Sequence, residues 1–148
     1  MSESTSSTPM NPPVPSTSAA SNSSSPSIRT HQFADPLPLM DGLLYTLILE
    51  LRGGFWVWSG TGRNMGATSV AVKTRFDSLP AATSILGASL DDPSQRLARK
   101  LAARYSLQAF VSLDLPQPGQ GADDGTMDDI GVFAERKIVE HLKEVHGR

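Results

Sequence analysis

Residues 75–87, RFDSLPAATSILG, residues 93–105, PSQRLARKLAARY, and residues 106–115, SLQAFVSLDL, decide the fold. In the first stretch Pro80 pushes Leu79 out of the helical region and fixes a turn. Asp77 and Ser78 are turn residues that bond nearby amides, and residues 81–86 then read as a strand ended by Gly87. The second stretch is a helix. Asp92 suits its N-cap and Pro93 its first turn, and Leu97, Ala98, Leu101, Ala102 and Tyr105 recur on one face at helical spacing. The third alternates, with Leu107, Ala109, Val111, Leu113 and Leu115 facing inward as a strand. Turn, strand, helix and strand follow with little slack, and they contain no recognisable catalytic group.

The helix carries a second pattern. Arg96, Lys100 and Arg104 recur at every fourth position with Arg99 beside them, and no acid inside the helix offsets them. A solvated face is the plain reading. The imbalance also suits docking against an acidic protein surface.

Upstream, residues 43–51 (LLYTLILEL) form the strongest strand. Leu43, Tyr45, Leu47, Leu49 and Leu51 take one face, and Leu44, Thr46, Ile48 and Glu50 the other. Both faces are largely apolar, so the strand is expected to be central or covered on both sides. Arg52-Gly53-Gly54 marks a turn, and FWVWS at residues 55–59 completes an antiparallel hairpin. Trp56 and Trp58 share one face. That pair is either a partner-binding hot spot or, the plainer expectation, packed under a helix. SGTGRNMG at residues 59–66 is glycine-rich, but its spacing fits no phosphate-cradling loop and a strand-like run, residues 67–74, follows it. It reads as a turn between strands. Residues 28–37 alternate weakly and suggest a short edge strand, because Pro36 and Pro38 cannot donate to a ladder.

Downstream, residues 116–128 read as a mobile Gly/Pro/Asp loop. Asp128 and Asp129 suit the start of a last helix. Ile130, Ala134, Ile138, Leu142 and Val145 form its apolar face, with Phe133 adjacent, and the helix is expected to cover the sheet. Residues 1–28 are Ser, Thr and Pro-rich with too little apolar surface to offset the entropy of ordering, so a disordered tail is expected. The domain then spans residues 29–148.

Composition narrows the function classes. The chain has 148 residues, a formal net charge of −2 and no cysteine. The charge gives no global case for nucleic acid or an anionic membrane. The missing cysteines exclude disulfides, thiolate zinc sites and a cysteine nucleophile. Asp123, Asp124, Asp128 and Asp129 lack the spacing of a calcium loop, and no histidine is placed to activate Ser78 beside Asp77. The expectation is therefore no catalytic residue, no metal and no cofactor. The longest apolar run is too short to span a bilayer, and no secretory or mitochondrial leader pattern stands at the N-terminus. A cytoplasmic or nuclear location is expected.

FWVWSGT, RNMGATSVAV, RFDSLPAATSILG and QRLARKLAARYSLQAFVSLDL, in that order, resemble the proteasome assembly chaperone 4 family, and GVFAERKIVEHLKE is similar to that family's last helix. The likeness covers roughly residues 30–146. The Ser-rich tail and the length of the 116–128 loop depart from the family pattern. The resemblance implies an α+β fold like that of proteasome assembly chaperones 3 and 4, a small antiparallel sheet with two or so flanking helices. It implies a non-enzymatic protein that forms a heterodimer with a proteasome assembly chaperone 3-like partner. It further implies that the pair promotes alpha-ring formation in the 20S proteasome by engaging an alpha-type subunit, the fifth. On that reading Arg75, Arg96, Arg99, Lys100, Trp56 and Trp58 are the partner-facing candidates. A heterodimeric adaptor unrelated to proteasomes is the alternative.

Overall fold

The computed structural model describes residues 28–38, 40–87, 92–116 and 124–147. Most of the expected N-terminal tail and residues 117–123 of the expected loop lie outside them. The elements are β1 (Arg29–Pro36), β2 (Leu43–Leu51), β3 (Gly54–Gly60), β4 (Ala67–Val72), β5 (Ala81–Leu86), α1 (Pro93–Tyr105), β6 (Gln108–Asp114) and α2 (Asp124–His146). Strand and helix types agree with the sequence reading throughout. The last helix begins at Asp124, so residues 124–128 belong to it and not to the loop.

The six strands form one sheet in the order β1-β2-β3-β6-β4-β5. The chain lays down β1, β2 and β3 as an antiparallel meander, with Leu47 opposite Trp58 and Leu49 opposite Trp56. The antiparallel pair β4 and β5 follows, with a bulge between Thr68 and Ser69. After α1, β6 enters the gap between β3 and β4. It runs antiparallel to β4 and parallel to β3. The sheet is antiparallel except for the β3–β6 pair, so the expected α+β class with a small, chiefly antiparallel sheet and two flanking helices holds, with one parallel pair added. The parallel pair exists because a helical crossover, α1, returns the chain to the strand's starting end.

Both helices lie on one face of the sheet. Phe55, Val57, Ala109, Val111 and Ala71 point from the sheet into a continuous core with Leu97, Leu101, Ile138 and Leu142 of the helices. A second cluster of Leu37, Leu44, Ile130, Phe133 and Ala134 extends the core toward the start of α2. α1 covers β4, β5 and β6, while α2 covers β1, β2 and β3. Period-two alternation along the strands makes this arrangement possible, because it sends alternate side chains toward the helices: chiefly apolar ones on β2, β3 and β6, with polar Ser69, Ser84 and Asp35 among them on β4, β5 and β1.

Asp92 anchors α1 from inside. Its carboxylate accepts from the Ser94 amide at 2.9 Å, from Ser94 Oγ at 2.7 Å, from Ser69 Oγ at 2.9 Å and from Ser84 Oγ at 3.2 Å. The N-cap is thus shared with β4 and β5, and the cap that starts the helix also fixes it to the sheet. Burial pushes this carboxyl's pKa up, but the hydrogen bonds from Ser94, Ser69 and Ser84 outweigh burial and hold it below the usual value.

α2 is tied to the edge strand β1 by a polar clasp. Asp35 accepts from His141 Nε2 at 2.7 Å and from Lys137 Nζ at 3.1 Å, and the His141 ring stacks on Phe33 at 3.8 Å. Burial raises the Asp35 pKa, while the bonds and charges of His141 and Lys137 lower it further than burial raises it. His31 bonds Glu50 at 2.7 Å across the same pair of strands, so it is a cross-strand partner, as a surface strand residue would be.

Candidate protein-binding surfaces

Among the described residues, the other face of the sheet carries no helix. The register places Leu49, Trp56, Phe110 and Val70 in one row across β2, β3, β6 and β4, and Leu47, Trp58, Ser112 and Thr68 in the next. Tyr45 and Leu43 prolong this surface at the β2 end, and both are exposed. One expectation is met in part and one is corrected: β2 lies inside the sheet between β1 and β3, though among the described residues helices cover one of its faces only, and the tryptophans do not pack under a helix. The side of β3 under the helices is that of Phe55 and Val57. The bulkier Trp56 and Trp58 take the open side.

The open face is ordered by its own contacts. The Trp56 and Phe110 rings stack at 5.7 Å. Trp58 Nε1 donates to the Asn64 carbonyl at 2.8 Å, and the Asn64 amide donates to Asp114 Oδ2 at 3.0 Å. The glycine-rich segment 59–66 is thereby pinned against β6. Gly66 has φ +62°, and a Cβ there would collide with the Leu113 carbonyl. Thr68 Oγ1 donates to Ser112 Oγ at 3.0 Å, and Ser112 Oγ donates to the Met65 carbonyl. These bonds satisfy Thr68 and Ser112 in the middle of the face, where the aromatic and aliphatic side chains sit, while Thr30 and Gln32 of β1 and Thr83 of β5 lie at its margins. Rings held in place lose little entropy on binding, as suits an interface anchor.

On the far side of the molecule α1 exposes Arg96, Arg99, Lys100 and Arg104. Lys100 pairs with Glu135 of α2 at 2.7 Å, and both side chains are well exposed. The Arg104 guanidinium lies 5.9 Å from the centre of the Tyr105 ring. Next to α1 runs the turn 73–80. Thr74 Oγ1 donates to Asp77 Oδ2 at 2.8 Å and accepts from the Asp77 amide at 3.3 Å. Pro80 is buried, yet Phe76 is 97% and Leu79 76% exposed. A groove of about 430 Å³ between turn and helix is lined by Leu79, Pro80, Arg99, Lys100 and Ala103.

The six candidate residues thus divide between two surfaces. Trp56 and Trp58 lie on the open sheet face. Arg96, Arg99 and Lys100 lie on the outer side of α1, with Arg75 exposed in the neighbouring turn. Sequence reasoning missed Phe110 and Val70, because their place beside Trp56 depends on β6 entering between β3 and β4. It also missed Phe76 and Leu79 as surface features. The signal was available in the apolar residues inside the RFDSLP turn, but a turn reading absorbs them. Among the described residues no group of three or more His, Asp or Glu side chains is placed to hold a metal ion. No helix among them is long and apolar enough to cross a membrane.

The chain is a small α+β domain with an open apolar sheet face on one side and a basic helix on the other. Residues 44–115 match the family model described as Proteasome assembly chaperone 4. The chain is 29% identical over 105 residues to the Proteasome assembly chaperone 4 of Homo sapiens and to that of Mus musculus, covering 71% of this chain and 79% of each relative. A chain from the crystal structure of a novel chaperone complex for yeast 20S proteasome assembly superposes with a TM-score of 0.54 at 11% identity, covering 78% of this chain and 96% of that one. The family model and both relatives make the chain similar to the proteasome assembly chaperone 4 family. The likeness to the yeast chaperone shows that the fold is shared.

Proposed function

We propose that the protein is a non-catalytic chaperone of 20S proteasome assembly. It pairs through its open sheet face with a proteasome assembly chaperone 3-like partner, and the heterodimer holds an alpha-type subunit, the fifth, while the alpha ring forms. Similarity to the proteasome assembly chaperone 4 family supports the assembly role. The observation that carries the heterodimer is the uncovered face bearing Trp56, Trp58, Phe110, Leu47 and Leu49.

The dimensions suit such a pairing. Five inter-strand spacings of about 4.8 Å and strands of about 20 Å give a flat area of roughly 500 Å². A stable interface takes ~800 Å² of accessible surface from each partner, so a pairing on this face would use most of the sheet. A second sheet stacked on this face would bury aromatic anchors at the centre, where interface energy concentrates. The chaperone then acts by shape and charge complementarity, with neither nucleotide nor metal, in the cytoplasm or nucleus.

The test is affinity purification of the full chain from native cells at low salt, followed by mass spectrometry. A similar small chaperone together with alpha-type subunits, without mature catalytic beta subunits, is the expected result. A dimer partner without proteasome subunits would instead make the protein a heterodimeric adaptor unrelated to proteasomes.

A further inference from the structure

The groove between the turn 73–80 and α1 differs in kind from the sheet face. Its floor is apolar, formed by Leu79, Pro80 and Ala103, and its rim is cationic, formed by Arg99 and Lys100. Arg75 stands exposed in the same turn. The apolar side chains are presented, not merely left over. Buried Pro80 and the Thr74–Asp77 bonds fix the turn that carries Leu79, which stays 76% exposed. A solvated surface turn has no need of an aliphatic side chain held outward next to a groove.

Charge indicates the occupant. The turn and α1 carry Lys73, Arg75, Arg96, Arg99, Lys100 and Arg104, in a chain whose net charge is −2. The acids described near them are engaged, Asp77 with Thr74 and Glu135 with Lys100. The neighbouring groove between α1 and α2 gives a contrast. It is lined by Glu135 and Glu140 as well as Lys100, Arg136 and Lys143, so a carboxylate there meets repulsion as well as attraction. The groove at Leu79 has no acid in its own lining, although its Lys100 is shared with Glu135.

We propose that this groove binds an acidic segment of the client protein, with one aliphatic side chain seated between Leu79, Pro80 and Ala103 and flanking carboxylates on Arg99 and Arg75. The inference rests on the chaperone reading and gives the chemistry that the basic helix recognises. Guanidinium groups suit this role because their planar fork pairs with carboxylates in two parallel hydrogen bonds. The apolar seat supplies what a charge stripe alone lacks, a fixed register for the bound segment. The site is separate from the open sheet face, so client and dimer partner can be held at once.

The test uses the full chain and a fluorescein-labelled peptide, Asp-Glu-Leu-Asp-Glu, read by anisotropy at low salt. A second copy of the peptide carries photoleucine at its centre, and cross-links are mapped by mass spectrometry. Saturable binding is expected, with cross-links at residues 79, 80 or 103. Arg99→Glu or Leu79→Asp weakens it tenfold or more while the melting temperature stays within a few degrees of the parent. The Asn-Gln-Leu-Asn-Gln peptide binds at least tenfold more weakly. No saturation at millimolar peptide, equal binding by both variants, or cross-links confined to the sheet face would overturn the proposal. So would an RNA decamer that binds more tightly than the peptide and is lost in the Arg99→Glu variant, because the surface would then be a phosphate-binding one. The outcomes separate from those of the chaperone reading. Peptide binding with the expected cross-links, but no proteasome subunit in the cellular purification, would sink the assembly role and leave the groove assignment standing.

Discussion

The two faces of one sheet carry comparable apolar side chains and meet different fates. Phe55 and Val57 are fully buried under the helices, while their neighbours Trp56 and Trp58 on the same strand reach the open side. Leu44 and Ile48 are buried, but Tyr45 and Leu43 are exposed one residue away. Hydrophobicity alone therefore does not say which face is core. The number of covering elements does, and two helices suffice to cover only one face. The other face is left with the composition of a core but only half-buried, with Leu43 and Tyr45 exposed at its end, the condition that marks an interaction site.

The sharpest way to break that comparison is to truncate one ring from each face. Phe55→Ala removes a fully buried side chain in contact with Tyr105 and should cost about 3–5 kcal/mol in urea unfolding of the isolated chain. Trp56→Ala should cost about 1 kcal/mol or less in the same measurement, because it loses chiefly the stacking on Phe110. Its effect on partner affinity should be about 2 kcal/mol or more. Equal costs in the isolated chain would mean that the open face is a core after all.

Asp92→Ala comes next. It removes the N-cap of α1 and leaves the hydroxyls of Ser69, Ser84 and Ser94 without their shared acceptor, with an expected loss of about 2–3 kcal/mol. The covered layer should weaken near β4 and β5, and hydrogen exchange should report faster opening there than in the β2–β3 hairpin.

Acid sharpens the comparison on the helix side. The pKa values of Asp35 and Asp92 are lowered in the folded protein by the bonds that outweigh their burial. A carboxyl with a lowered folded pKa contributes stability that is fully present above its unfolded value of about 3.9 and is lost as pH falls through the folded value. The melting temperature should therefore drop below about pH 4 as the α2 clasp and the α1 cap protonate. Asp35→Asn should flatten part of that fall. A melting temperature that falls identically in the variant would take the clasp out of the account.

The smallest effect is expected at α1's outer side. Lys100→Glu removes the exposed pair with Glu135 and should change stability by about 0–1 kcal/mol, since solvent screens such pairs. A larger loss would mean that the basic stripe supports the fold and is not free to serve a partner.

Much of this was legible in the chain. The inward residues of α1, its Asp92 cap, the β2–β3 hairpin and the apolar stripe of α2 follow from local periodicity and cap chemistry, which depend on neighbours in sequence. The sheet order did not follow. β6 inserts beside β3 only because α1 carries the chain across, and that insertion creates the row of Trp56, Phe110 and Val70. Nor could the sequence say which side of β2 the helices take, because Leu44 and Ile48 are as apolar as Leu47 and Leu49. The groove at Leu79 was hidden for a related reason. It forms where a turn meets a helix about twenty residues further along, and neither segment announces it alone.

The central claim is that the open face receives the dimer partner, and the chain carries its own reporter, since its two tryptophans both lie there. The full chain should be titrated with a proteasome assembly chaperone 3-like partner whose own tryptophans are replaced by phenylalanine. Complex formation is followed by size-exclusion chromatography, and Trp56 and Trp58 by emission maximum and acrylamide quenching. A blue shift and a several-fold loss of quenching on complex formation are predicted. A complex that forms while emission and quenching stay unchanged would place the partner elsewhere and contradict the account.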